Sequence, residues 1–258
     1  AVELPRHARQ ALLEAVGQLP RISVLLGRYS IPQEWDEDEP PEVVAVIEPA
    51  DALTEACRTA LEIGAELVLI GTGDKPLWER WDVYPDPAAL SVISYERYTE
   101  LYLRCPPPPA AEGSGAWEAA AWLSRLDRNA ETAVVLRLSA FAEILPLLDA
   151  AMEPPGELPS RRLSAAPVSP GALGDITEDC PWLQERYEEW RGSIQSGQDA
   201  AVPDRRAWLN GLWREAGENY RAIYGGELAP WQQRQAARFL ARLARAGGLV
   251  APSLFDLV

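Results

Sequence analysis

Residues 42–84 read EVVAVIEPADALTEACRTALEIGAELVLIGTGDKPLWERWDVY, and the alternation of apolar and polar blocks within them decides the fold. Residues 43–47 form a short apolar run rich in β-branched side chains, and residues 67–70 form another. Both suit buried parallel strands with a helix packed across them. Between them Leu53, Cys57, Ala60 and Leu61 recur at helical spacing, and Gly64 stands where a helix needs a left-handed residue to stop. The stretch therefore predicts one βαβ unit. A right-handed crossover would set Gly71-Thr72-Gly73-Asp74 at the carboxyl end of the second strand, where open α/β sheets carry their chemistry.

Outward from this unit, the chain divides. Leu12, Leu13, Val16 and Leu19 predict a short amphipathic helix, and residues 22–26 a first strand. Residues 77–84 predict a further strand at a sheet edge, while 95–103 fit either a helix or an aromatic strand. Cys105 is followed by four consecutive prolines and then AAEGSGAW, a stiff spacer joined to a flexible one. The expected organisation is an acidic α/β domain over residues 1–108, containing the βαβ sheet, a linker over 109–116, and a mainly helical, Trp-rich domain over 117–258.

Within that second half, Trp117, Ala121, Trp122 and Leu126 predict a helix, residues 132–138 a strand, and 154–174 a long loop rich in Pro, Ser and Gly. Residues 175–190 read as a helix with Trp182, Leu183, Tyr187 and Trp190 on its apolar face. Asp204 is placed to cap a helix running to Gly225-Gly226, and Pro230 to open another that stops at Gly247-Gly248. The ten Trp residues read as core.

Composition excludes several functions. With 258 residues and 47% apolar content the chain can bury one large core or two modest ones. No apolar run approaches the ~20 residues of a membrane span, so a soluble, cytoplasmic protein with no membrane partner is expected. Cys57, Cys105 and Cys180 are far apart and odd in number, which predicts reduced thiols and neither a disulfide framework nor a zinc site. A net charge of -15 argues against a surface that wraps nucleic acid as a whole. The charge is uneven: residues 1–110 hold 19 acidic and 9 basic side chains, and residues 203–258 hold 5 and 8.

The catalytic sets are missing. His7 is the only imidazole, so a nucleophile-histidine mechanism would have to run through one residue near the start of the chain. The acidic run Asp36, Glu37, Asp38 with Glu42 lacks the glycine turn of a calcium loop and reads as a solvated face. Gly71 to Lys75 lacks the spacing of a phosphate-binding Walker loop and precedes Pro76 instead of a helix. No cofactor, metal or catalytic residue is expected. If a ligand site exists, the strand ends would supply Glu48, Asp51, Thr72, Asp74 and Lys75.

The order of a strand ending in Glu48, a helix over 52–63, the strand 67–70, a Gly-Thr-Gly turn at 71–73 and an aromatic segment from Trp78 to Tyr84 resembles the amino-terminal restriction-endonuclease-like domain of restriction and DNA-modification enzymes. In that family a Glu-x-Lys pair ends one strand, and a turn resembling Thr-Asn-Gly precedes a strand with Trp and Tyr. Glu48-Pro49-Ala50 matches the carboxylate and loses the Lys. The resemblance implies a nuclease fold without cleavage chemistry, since no cation would sit at the attacked phosphate.

The last helix carries a surface signal. Arg234, Arg238, Arg242 and Arg245 are spaced 4, 4 and 3 apart along one face, with Trp231, Phe239, Leu240 and Leu243 assigned to another. These four arginines are the expected partner-binding residues. The expected function is a non-catalytic subunit or adaptor acting through protein contacts, in a DNA-handling or bacterial host-defence assembly. Nucleic acid could be met only through this Arg-lined helix. The alternative is an enzyme or ligand-binding α/β protein with its site near Gly71 to Lys75.

Overall fold

The elements run β1 (Val2–Pro5), α1 (Arg9–Val16), β2 (Ser23–Gly27), β3 (Glu42–Ile47), α2 (Ala52–Glu62), β4 (Leu69–Gly71), α3 (Tyr95–Leu103), α4 (Gly115–Leu123), α5 (Leu138–Ile144), β5 (Ser164–Pro167), α6 (Leu173–Ile176), α7 (Pro181–Gln195), α8 (Arg205–Tyr224) and α9 (Pro230–Ala246). The structure, a computed structural model, describes residues 1–27, 42–71, 87–104, 114–127, 129–148, 163–177, 180–198, 201 and 203–249. The protein is α/β, with small sheets toward the amino terminus and helices toward the carboxyl terminus.

The strand, helix, strand order of residues 42–71 is present, but its two strands lie in different sheets. β3 pairs antiparallel with β2, Ser23 opposite Ile47 and Gly27 opposite Glu42, and β5 pairs antiparallel on the other side of β2. β4 pairs parallel with β1. The single parallel βαβ sheet expected from the sequence is thus replaced by two sheets, because each apolar run has another strand as its neighbour. β5 falls within the expected loop 154–174, and β1 within a stretch that carries no strand signal. On the far side of β1, residues 133–135 contribute only an isolated parallel bridge between Val2 and Val135. Glu3 N–H donates to Val135 O at 3.1 Å, and Val135 N–H to Ala1 O at 2.9 Å.

α2 begins and ends as its sequence requires. The Asp51 carboxylate accepts the Thr54 N–H at 2.6 Å, which satisfies one of the orphan donors of the first turn. Beyond its last turn Gly64 takes φ +68°, and Ala65 N–H donates to Ala60 O at 2.9 Å. The buried face consists of Leu53, Thr54 and Cys57, whereas Leu61 is exposed.

Contacts group the chain into two units, Ala1–Val83 with Leu103–Thr177, and Tyr84–Tyr102 with Glu178–Val258. This grouping differs from a cut at the proline run, all of which, with the expected linker up to residue 113 and the expected edge strand 77–84, lies outside the described residues. α4 and α5 belong to the first unit: Ala119 and Ala120 of α4 cluster with Ile70 of β4 and with Ala140 and Ile144 of α5. The larger cluster of the same unit gathers Leu12 and Ala15 of α1, Leu25 of β2, Val44 and Ile47 of β3, and Leu53 and Cys57 of α2. Each fully buried Leu or Ile there contributes about 1.5–3 kcal/mol.

The described Trp residues are not this core. Trp117, Trp122, Trp182, Trp190 and Trp208 are half-buried, and Trp213 and Trp231 are exposed. Small residues fill the interior of α4 instead, because Ala119, Ala120 and Ala121 let the helix approach the sheet closely while the indoles stand at its margins. In the second unit α7 buries Leu183 and Gln184, and its Trp182 donates from Nε1 to the Glu215 carboxylate of α8 at 2.7 Å.

Candidate functional site

Of the five residues expected at the strand ends, two are described. Glu48 follows β3 and is 3% exposed. Asp51 lies one turn on, its N–H donating to Glu48 O at 3.4 Å, and its carboxylate is engaged in capping α2. Thr72, Asp74 and Lys75 lie outside the described residues, as do residues 72–84 of the nuclease-like motif. Gly71 has a packing reason: a Cβ there would come within 2.8 Å of the Leu4 carbonyl carbon, so only glycine lets β4 meet β1 at this point. Among the described residues no three His, Cys, Asp or Glu side chains converge as a metal would require.

Cys57 is chemically quiet. It is fully buried, and burial, reinforced by the Asp51 carboxylate, pushes its thiol up to about 12. The thiolate that nucleophilic chemistry needs is therefore absent at neutral pH.

A pocket of about 530 Å³ opens instead at the beginning of β4, lined by Arg6, His7, Arg9, Glu66, Leu67, Val68, Leu69 and Trp122. Its position follows from Pro5, which ends β1; residues Arg6–Ala8 then form a single tight turn before α1. Arg9 at the start of α1 donates from Nη1 to Leu67 O at 2.6 Å, tying the helix to the segment entering β4. The Arg6 guanidinium carbon lies 3.7 Å from the centroid of the Trp122 ring, and that of Arg125 lies 5.6 Å from it. The Trp122 Nε1–H is out of contact with water and has no acceptor. Its lining includes the guanidiniums of Arg6 and Arg9 and the carboxylate of Glu66.

Sequence reasoning missed this site. His7 drew notice only as a lone imidazole, and the one local hint was Arg6 with Arg9 at a spacing of three. Trp122 and Glu66 come from other parts of the chain, and nothing in their neighbourhood marks them as lining one pocket with Arg6.

The second feature is α9. Ala229 N–H donates to the Gln232 side chain at 2.8 Å at its start, and Gly248 at φ +71° follows its end, with Leu249 N–H donating to Ala244 O at 2.8 Å. Its more buried side chains are Ala236, Leu240 and Ala244, spaced by four. Phe239 is 64% exposed and Leu243 39%. Arg234, Arg238, Arg242 and Arg245 are all exposed. Trp231, assigned from the sequence to the apolar face, falls in line with the arginines, three residues before Arg234, and is 60% exposed. No helix among the described residues is long and apolar enough to cross a membrane.

No protein-family model matches the chain, and neither a curated protein nor a solved structure matches it.

Proposed function

We propose that this chain is a non-catalytic interaction subunit that docks onto an acidic protein surface through α9. The observation that supports this reading is the row of Trp231, Arg234, Arg238, Arg242 and Arg245 in solvent, with Phe239 and Leu243 exposed beside it. Protein interfaces are enriched in aromatic residues and Arg, and an aromatic anchor next to a guanidinium row joins desolvation to charge complementarity. An ordinary solvated helix face has little use for an exposed Phe and Trp together. The lost Lys at Ala50 and the inert Cys57 support the absence of catalysis, and a DNA-handling or host-defence assembly is the setting that the nuclease-like motif favours.

The test is affinity purification of the full chain from its own cells, beside the variants Phe239→Ser and Arg238→Glu/Arg242→Glu. A partner retained by the native chain and lost by both variants supports the proposal. Identical recovery with all three chains overturns it. A labelled DNA duplex that binds the native chain and is released by Arg238→Glu/Arg242→Glu would overturn the protein-partner reading in favour of nucleic acid.

A further inference from the structure

We infer that the apolar seam of α8 pairs with the same seam of a second copy of this chain, the two helices running antiparallel across a two-fold axis. The inference rests on α8 and is independent of the docking surface on α9. Leu209, Trp213, Ala216, Tyr220 and Ile223 recur at intervals of 4, 3, 4 and 3, the spacing with which one helix packs along another. Leu212 and Tyr224 stand beside them. Trp213 is 38% exposed, Tyr220 41%, Ile223 72% and Tyr224 71%, and Ala216 is exposed between them. The Tyr220 and Tyr224 rings already rest on each other with centroids 4.8 Å apart.

Helix α7 leaves this seam open. It meets α8 on the far side, where Glu215 accepts the Trp182 Nε1–H at 2.7 Å and a Cβ on Gly211 would lie 3.3 Å from the Trp182 ring.

Charge selects the occupant. From Leu209 to Tyr224 the positions flanking the seam are Asn210, Leu212, Gly217, Asn219 and Tyr224, none of them charged. Arg214, Glu215, Glu218 and Arg221 turn away from it at helical spacing, and Arg221 is paired with Glu227 at 3.1 Å. Nucleic acid or a strongly acidic protein would need cations at those flanks. Two copies of a chain carrying -15 repel each other, so they can meet only where the facing surfaces are neutral, as this one is.

The order of side chains fits a two-fold. A symmetric pair buries the same patch on both copies, so that patch must complement itself. An antiparallel crossing centred between Ala216 and Gly217 sets Trp213 opposite Tyr220 of the second copy and Leu209 opposite its Tyr224. The small residues at the crossing let the helices approach, and aromatic pairs flank it on both sides.

The test is sedimentation velocity of the full chain from about 1 to 100 µM. A species of twice the 28.4 kDa chain mass should form as concentration rises. Raising salt should leave the pair unchanged or strengthen it, because salt screens the repulsion between copies. Ile223→Glu and Tyr224→Glu should each weaken pairing by about tenfold or more with unchanged far-ultraviolet circular dichroism, while Phe239→Ser should pair like the native chain. In Trp213→Cys/Tyr220→Cys, oxidation should link position 213 of one copy to 220 of the other, read by mass spectrometry of the digest. A native chain that stays monomeric at every concentration, pairing that salt dissolves, pairing that survives both Glu variants, or links joining 213 to 213 would each overturn the inference. Loss of pairing in Phe239→Ser would also overturn it, since α9 would then hold the contact.

Discussion

The two units spend their apolar residues differently. The first buries Leu12, Leu25, Ile47, Cys57, Ile70 and Ile144 to 1% exposure or less, whereas among the described residues of the second only Tyr98, Leu183, Gln184, Arg191 and Ala244 are buried. The second leaves Ile223 at 72%, Tyr224 at 71% and Phe239 at 64%. A sheet covered by helices removes both faces of its strands from water, while a helix that packs along one stripe leaves its shoulders wet. The contrast shows why the first unit is explained by its own packing more fully than the second: Tyr224 packs only on Tyr220, one turn back on the same helix, with centroids 4.8 Å apart, and exposed apolar surface of this kind marks interaction sites.

The sharpest way to break this comparison is Leu12→Ala. Leu12 has no exposed surface and sits among residues of β2, β3 and α2, so truncation should destabilise by about 3–4 kcal/mol, transfer and cavity terms together. A urea melt that moved by less than about 1 kcal/mol would show that the first unit is not close-packed.

Next is the ion pair that closes β1 onto α5. Arg137 donates from Nη2 to Glu3 Oε1 at 2.6 Å and from its backbone N–H to Glu3 Oε2 at 2.9 Å, with Glu3 5% exposed at its side chain and Arg137 22%. Glu3→Ala leaves a mostly buried guanidinium and the first backbone donor of α5 without this carboxylate, and should cost about 2–3 kcal/mol, below the full range for a wholly buried pair. Glu3→Gln, which keeps an acceptor, should cost less. Equal losses would show that charge alone matters there.

Cys57 tests burial through pH. Its folded thiol is raised from 9.0 to about 12 by burial, so the unfolded chain sheds this proton first. The associated stability is therefore full below pH 9 and declines as the pH rises toward 12, at up to ~1.4 kcal/mol per pH unit. Urea midpoints at pH 8 and pH 10 should differ, and the difference should shrink in Cys57→Ala. In the folded chain iodoacetamide should label Cys180, which is half-buried, well before Cys57.

The smallest expected effect belongs to the second unit. Phe239→Ser removes an exposed side chain and should change stability by no more than ~0.5 kcal/mol, while abolishing partner recovery. A loss above about 1.5 kcal/mol would mean that Phe239 is packed in solution, which would turn the proposed docking surface into core.

What was legible in the sequence is what neighbouring residues determine. Helix α2 is announced by Asp51 at its start and Gly64 past its end, and α9 by Pro230 and Gly247-Gly248, because caps and left-handed stops satisfy the backbone groups of the same turn. The apolar runs of β2, β3 and β4 could be read for a similar reason, although not their partners. Strand β1 could not be read at all: Glu3 in its centre looks like surface until Arg137, 134 residues later, supplies the opposite charge. The same holds for β5, whose Ser164–Pro167 resembles a loop and becomes a strand only because β2 has a free edge for it, and for the pocket at the start of β4, where Arg6 stacks on Trp122 of α4. Local hydrogen-bond closure and periodicity are written along the chain, whereas strand pairing, charge neutralisation and pocket assembly join distant segments whose meeting only the folded structure decides.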